Sequence, residues 1–184
     1  MGDQPVSRRL AQGLEDHPEK PAASTPPVRA VVALGANLGD RAATLAEAVE
    51  ELRRLPLVDE VTASPPVESV AVKPEGPDAS APAYLNAVAI VTTRLAPSVL
   101  LGYMHAIEAR HGRERRERWG DRTLDLDLIT YGDVTSDDPR LVLPHPRAAS
   151  REFVLLPWLA IDPAAEIPGA GRVEDLLARI QDAS

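Results

Sequence analysis

The stretch RTLDLDLI, Arg122 to Ile129, alternates charged and apolar residues from Leu124 onward. Strict alternation of this kind fits a half-buried β-strand and no helix, since residues at i and i+2 of a strand share a face. Leu124, Leu126 and Leu128 therefore face a core, while Asp125 and Asp127 stand side by side on the opposite face. Neighbouring carboxylates repel each other unless a cation lies beside them, so the strand calls for either a metal or an arginine. The strand by itself leaves both open.

The remaining segments supply the partners for that strand. VRAVVALGANLGD reads as a buried strand from Val28 to Leu34, a glycine-bearing turn, and Asp40 capping a helix that runs to about Leu55. Leu45, Val49 and Leu52 give the helix one apolar stripe. A second strand covers Val58 to Ala63, and YLNAVAIVTT is a long third strand. APSVLLGYMHAIEARHG is a second helix, with Pro97 near its start and Gly112 at its end. The aspartate-bearing strand is the fourth. The order β-α-β-β-α-β predicts an α+β fold with a ferredoxin-like core. REFVLLPWLAI and VEDLLARI add C-terminal helices to it.

Between these elements lie segments with less regular patterning. Ser64 to Ala83 is rich in proline and small residues and is expected to be a long loop without regular structure, of the kind that forms lids and binding loops. Tyr131 to Asp138 reads as a polar turn. Residues 1–27 contain five prolines and no sustained period, so they are expected to be a mostly disordered extension, with a short helix allowed near Val6 to Leu14. Residues 28–184 are then a single domain, long enough to bury a substantial core at 44% hydrophobic content.

Composition narrows the functional classes. The chain has no cysteine, which excludes disulfides, thiolate metal sites and a cysteine nucleophile, and suits a reducing cytoplasm. No run has the length and apolarity of a membrane span, and MGDQPVSRRLAQG lacks the apolar centre of a secretory signal. A cytoplasmic protein is expected. A formal net charge of -8 argues against general nucleic-acid binding. Local charge differs, because RHGRERRERWGDR, Arg110 to Arg122, holds six arginines against three acidic residues, a net +3.

That basic cluster runs directly into the paired aspartates. A metal-bound polyphosphate needs both parts: carboxylates for Mg²⁺, and guanidinium forks for the phosphate oxygens left uncovered. Trp119 in the same segment is suited to cover an adenine or to exclude water. The plainer reading is a solvated helix end whose arginines pair with Glu114, Glu117 and the aspartates. Further on, His145 suits either a hydrogen bond to phosphate or proton transfer, against a structural role in its Pro-His-Pro setting. Arg151 stands at a helix N-terminus, where anions are favoured, and Arg140 is a third cation.

RWGDRTLDLDLI, GANLGDR, YLNAV and LPHPRAASREFVL, taken together and in this order, resemble the 6-hydroxymethyl-7,8-dihydropterin pyrophosphokinase family of the folate pathway, over about Val31 to Pro163. The resemblance implies a ferredoxin-like enzyme that moves a pyrophosphoryl group from ATP to the pterin's hydroxymethyl oxygen and releases AMP. It implies that Asp125 and Asp127 hold two Mg²⁺ ions, and that Arg113 and Arg122 are catalytic. For ATP it implies His105, Glu108, Trp119, Arg122, Arg140, His145 and Arg151. For the pterin it implies Tyr84 and Phe153 as a stacking pair, Asn86 as the amide that reads the polar edge, and Gly35 and Ser69 along the pocket. A monomer without nucleic-acid or membrane partners is expected. The chain departs from the family pattern at Asp121, where proline is common, at Val67, often aromatic, and at His105, often glutamine.

Other readings compete on fold alone. A nucleotidyl-transfer palm domain also mounts metal-binding aspartates on a ferredoxin-like sheet, but it releases pyrophosphate. An RNA-binding module of this fold places aromatics on its central strands, where this chain has aliphatic residues. A small-molecule regulatory domain gives no reason for an arginine cluster beside two strand aspartates.

Overall fold

The computed structural model describes residues 25–73, 76–78, 83–112 and 123–183. The expected extension lies almost wholly outside these residues, and 25–27 lead into the first strand without regular structure.

The core elements are β1 (Val28–Ala36), α1 (Arg41–Arg53), β2 (Val58–Ala63), β6 (Tyr84–Thr93), α2 (Pro97–Arg110) and β7 (Asp125–Tyr131). The longer loops carry β3 (Val67–Ser69), β4 (Ala71–Lys73), β5 (Gly76–Asp78), β8 (Ser136–Asp138) and β9 (Leu141–Leu143). The C-terminal part contributes α3 (Glu152–Ile161), the short strands β10 (Glu166–Ile167) and β11 (Gly171–Arg172), and α4 (Val173–Asp182). The main sheet runs β2-β6-β1-β7 and is antiparallel throughout. This is the ferredoxin-like order that the element sequence predicts.

Local chemistry accounts for the helices. Asp40 accepts from the Ala43 amide at 3.0 Å and so caps α1. Pro97 opens α2, where its missing N–H costs nothing. Gly112 follows α2 at φ +79°, a conformation that other residues rarely adopt.

Two apolar layers sandwich the sheet. On the first face, Ala30, Val32 and Leu34 of β1, Ala87, Ala89 and Val91 of β6, and Leu126 and Leu128 of β7 pack with Leu45, Val49 and Leu52 of α1 and Leu100, Met104 and Ile107 of α2. Burying one such leucine stabilises the fold by roughly 1.5–3 kcal/mol. On the second face, Val31, Val88, Ile90 and Ile129 pack against Val154, Leu155 and Trp158 of α3 and Val173, Leu176 and Leu177 of α4. A bulge in β7 adds Ile129 between the rungs Val31/Thr130 and Val32/Leu128. Beyond the bulge Tyr131 returns to the first face, where its buried hydroxyl donates to the Leu95 carbonyl at 2.6 Å. Burial pushes that phenol's pKa up.

Two expectations are corrected. Ser64 to Ala83 is not without regular structure: β3 pairs with Tyr84–Asn86, and β4 pairs with β5. The cause is the length of β6, which outruns β2 and leaves backbone groups that β3 satisfies. Tyr131 to Asp138 is not a simple turn either, since Tyr131 ends β7 and β8 pairs with β9. No helix among the described residues is long and apolar enough to cross a membrane.

Candidate active site

Among the described residues, α3 and α4 pack on the second face at Val31, Val88, Ile90 and Ile129. Side by side across β6, β1 and β7, one row of the sheet holds Val88, Ala33 and Asp127, and the next holds Asn86, Gly35 and Asp125. Along β6 the floor changes from Val88 to Asn86 from one row to the next, while β7 carries an aspartate in both rows. Gly35 sits between Asn86 and Asp125, and a Cβ there would lie 3.3 Å from Asn86 Oδ1 and 3.8 Å from the Tyr84 ring. Glycine keeps that floor flat.

One side of the floor is shaped by amide and aromatic groups. Asn86 is buried, and its Nδ2 donates to Ser69 Oγ at 2.8 Å. Ser69 is the register partner of Tyr84, which brings Gly35, Ser69, Tyr84 and Asn86 together. A bridge secures this side. Arg41 Nη1 donates to the Ala83 carbonyl at 2.6 Å, and its Nη2 donates to Glu68 Oε1 at 2.9 Å.

The other side is ionic. Arg151, the N-cap residue of α3, donates from Nη1 to Asp127 Oδ2 at 3.1 Å, and its guanidinium lies 5.5 Å from the centre of the Phe153 ring. Of the two partners that the strand left open, arginine is therefore present at Asp127. His145 Nε2 stands 3.8 Å from the same carboxylate oxygen. Its Nδ1 accepts from the Arg147 amide at 3.2 Å, which places the proton of the neutral ring on Nε2. Burial lowers the His145 pKa below its ordinary 6.5; the Arg151 and Arg147 charges add to that, against the opposing pull of Asp127 and Asp125. The neutral ring is thus the stable form above pH 6.5.

Among the described residues no group of three or more His, Asp and Glu forms a metal cage. Two half-buried carboxylates on one face still fit Mg²⁺, which usually takes one or two carboxylates and fills its shell with waters and substrate phosphates. The hard oxygen donors of Asp125 and Asp127 suit that ion.

The other expected residues separate into three groups. Arg140 is 89% exposed and is held by Asp138 at 2.9 Å. Glu108 is buried, and its Oε1 accepts from the Leu126 amide at 2.8 Å, so its carboxylate braces β7 from the first face. His105 lies exposed on α2. Arg113, Trp119 and Arg122 fall outside the described residues. Sequence reasoning assigned no role to Arg147, whose amide orients His145, or to Arg41. The second was legible as the final residue of the GANLGDR motif, and the first as the residue following PHP.

Fold and site together define a ferredoxin-like α+β chain whose sheet carries an acidic pair beside Arg151 and His145, next to Gly35, Ser69, Tyr84 and Asn86. The chain belongs to the 7,8-dihydro-6-hydroxymethylpterin-pyrophosphokinase family, whose profile matches residues 31–163. It is 41% identical over 150 residues to the 2-amino-4-hydroxy-6-hydroxymethyldihydropteridine pyrophosphokinase of Pseudomonas aeruginosa, covering 82% of this chain and 90% of that protein. The protein of the same name from Haemophilus influenzae is 37% identical over 155 residues, covering 84% of this chain and 94% of that one. Among solved structures, an HPPK-DHPS in complex with substrates has a similar fold, with a TM-score of 0.66 and 13% identity over 86% of this chain. Plasmodium falciparum HPPK-DHPS wild type with pteroate gives a TM-score of 0.63 and 13% identity over 83% of this chain. This chain spans 44% of each of those solved chains.

Proposed function

We propose that this chain transfers a pyrophosphoryl group from ATP to the hydroxymethyl oxygen of 6-hydroxymethyl-7,8-dihydropterin, giving the pterin diphosphate and AMP for folate synthesis. Family membership supports the reaction. The observation that carries it to this chain's own residues is the pair of adjacent rows, Asn86, Gly35, Asp125 and Val88, Ala33, Asp127. On this proposal the first row lies under a flat heterocycle and the aspartates lie beside the phosphates, and the shared face of the two rows supports it.

In this reading Asn86 hydrogen-bonds the polar edge of the pterin, and Tyr84 and Phe153 stack on its ring, which contributes ~0.5–1.5 kcal/mol beyond burial. Gly35 and Ser69 line the slot. The neutral His145 donates from Nε2 to a phosphate oxygen, and Arg151 supplies a guanidinium fork from the start of α3. Arg113, Arg122, Trp119, Arg140, His105 and Glu108 complete the nucleotide side as the family resemblance implies. Asp125 and Asp127 would hold two Mg²⁺ ions, which when bound neutralise polyphosphate charge. The chain's own work is then positioning for in-line displacement and exclusion of water. The reading takes residues 28–184 as one domain, supported by a single sheet that serves both apolar layers, and the protein as a cytoplasmic monomer.

The test is product analysis with ATP, Mg²⁺ and the dihydropterin. Pterin-dependent AMP, with the pterin gaining a diphosphate, is the expected result. Pyrophosphate release without AMP would instead place the chain with nucleotidyl-transfer domains.

A further inference from the structure

We propose that Arg41 is a positioning residue for the pterin pocket, bridging the two strands whose side chains form one wall of it. The inference rests on the pterin reading of Ser69, Tyr84 and Asn86.

β3 has three residues, and among the described residues it pairs with Tyr84–Asn86, the first residues of β6. It is a short piece of the main sheet's margin, held to β6 by few backbone bonds, and edge segments of this kind open more readily than central strands. Yet Ser69 Oγ must stay 2.8 Å from Asn86 Nδ2 if the amide is to face a ligand in one orientation. Arg41 supplies the missing restraint. One guanidinium reaches Ala83, which precedes Tyr84, and Glu68, which precedes Ser69. It therefore joins the strands beside the Ser69/Tyr84 rung. The base of the arginine is itself fixed, since it is the first residue of α1 and follows the Asp40 cap.

Exposure shows what this bridge is for. Glu68 is 65% exposed and Arg41 30%, so the ion pair adds little to global stability. What it fixes is geometry. Two divergent donors on a rigid plane can hold a carbonyl and a carboxylate at once, whereas the single ammonium of lysine holds them less well.

The experiment uses the full chain with Arg41→Met, Arg41→Lys and Glu68→Gln. Backbone hydrogen exchange at Val67 to Ser69 is measured alongside KM for each substrate, kcat and Tm. Arg41→Met is expected to speed exchange in β3 and to raise the KM for the dihydropterin by about tenfold to a hundredfold, the scale of a remote misplacement. The KM for ATP and the Tm should stay close to wild type. Arg41→Lys should recover part of the loss, and Glu68→Gln should lose less than Arg41→Met because the Ala83 bond remains. An unchanged pterin KM in Arg41→Met overturns the proposal. So does an equal rise in both KM values with a lower Tm, which would mark general loosening. A wild-type chain that makes no pterin-dependent AMP would overturn the pterin reading instead, while exchange at β3 reports separately whether Arg41 holds the strand.

Discussion

The two faces of the sheet are made from the same strands, often from consecutive residues, yet they end differently. On the first face α1 and α2 cover the apolar positions of β1, β6 and β7 along their length. On the second, α3 and α4 cover Val31, Val88, Ile90 and Ile129, and the rows beyond carry Asn86, Gly35, Asp125 and Asp127. Position along the chain therefore says little about what a residue does here; parity says much. Leu126 lies between the two aspartates in sequence and belongs to the opposite layer.

The strongest break of this comparison is at the aspartates. Asp127→Ala or Asp125→Ala should lower kcat by about a hundredfold to a thousandfold or more, as loss of a central electrostatic group does. The circular dichroism and Tm should remain near wild type. Leu126→Ala should do the reverse, costing about 2–5 kcal/mol in denaturant unfolding while the folded fraction keeps its kcat. If Leu126→Ala mainly altered kcat, or the aspartate variants mainly altered Tm, the division by face would be wrong. A smaller effect is expected for Tyr131→Phe, which removes the bond to the Leu95 carbonyl from the covered face and should cost roughly 0.5–1.5 kcal/mol by chemical denaturation.

The smallest effect lies on the outer surface of the covered side. Burial alone would raise the Glu51 pKa, but hydrogen bonds from Arg110 and His111 outweigh it and hold the carboxyl below its ordinary 4.5. A carboxyl lowered on folding adds stability that is complete above pH 4.5 and lost as pH falls through the folded value. Glu51→Gln should therefore flatten the stability curve below pH 4.5 and cost about 1 kcal/mol at neutral pH, as befits a partly exposed ion pair. Unfolding curves recorded across that range check it, and an unchanged acid slope would remove Glu51 as a contributor.

Much of the fold was legible because its signals are local. Val58 to Ala63 and Tyr84 to Thr93 emerge with the limits that their apolar patterning implies, and Leu45, Val49 and Leu52 are all buried. β3 escaped because its pairing depends on how far β6 outruns β2, a relation between distant segments that no periodicity in Ser64 to Ala83 records. The site divides in the same way. The shared face of Asp125 and Asp127 follows from strand geometry, and the grouping of Gly35, Ser69, Tyr84 and Asn86 came from the family resemblance. The reach of Arg151 to Asp127 crosses 24 positions, and only the folded chain reveals it. Arg140 shows the opposite failing: Asp138, two residues away, holds it in a local pair that charge counting alone did not single out.

The bond from the Leu126 amide to Glu108 has a consequence beyond bracing the strand. β7 is the outermost strand of the main sheet, and an open margin of that kind offers its amides and carbonyls to any other extended chain. Here the outward amide of Leu126 is taken by a buried carboxylate, and the carbonyl of Ile129 by the His145 amide at 2.8 Å. An intruding strand finds these two rungs already occupied. The strand that carries the acidic pair is thereby guarded against edge-to-edge aggregation, and its charged face can stay open to small ligands without becoming a seam for other proteins.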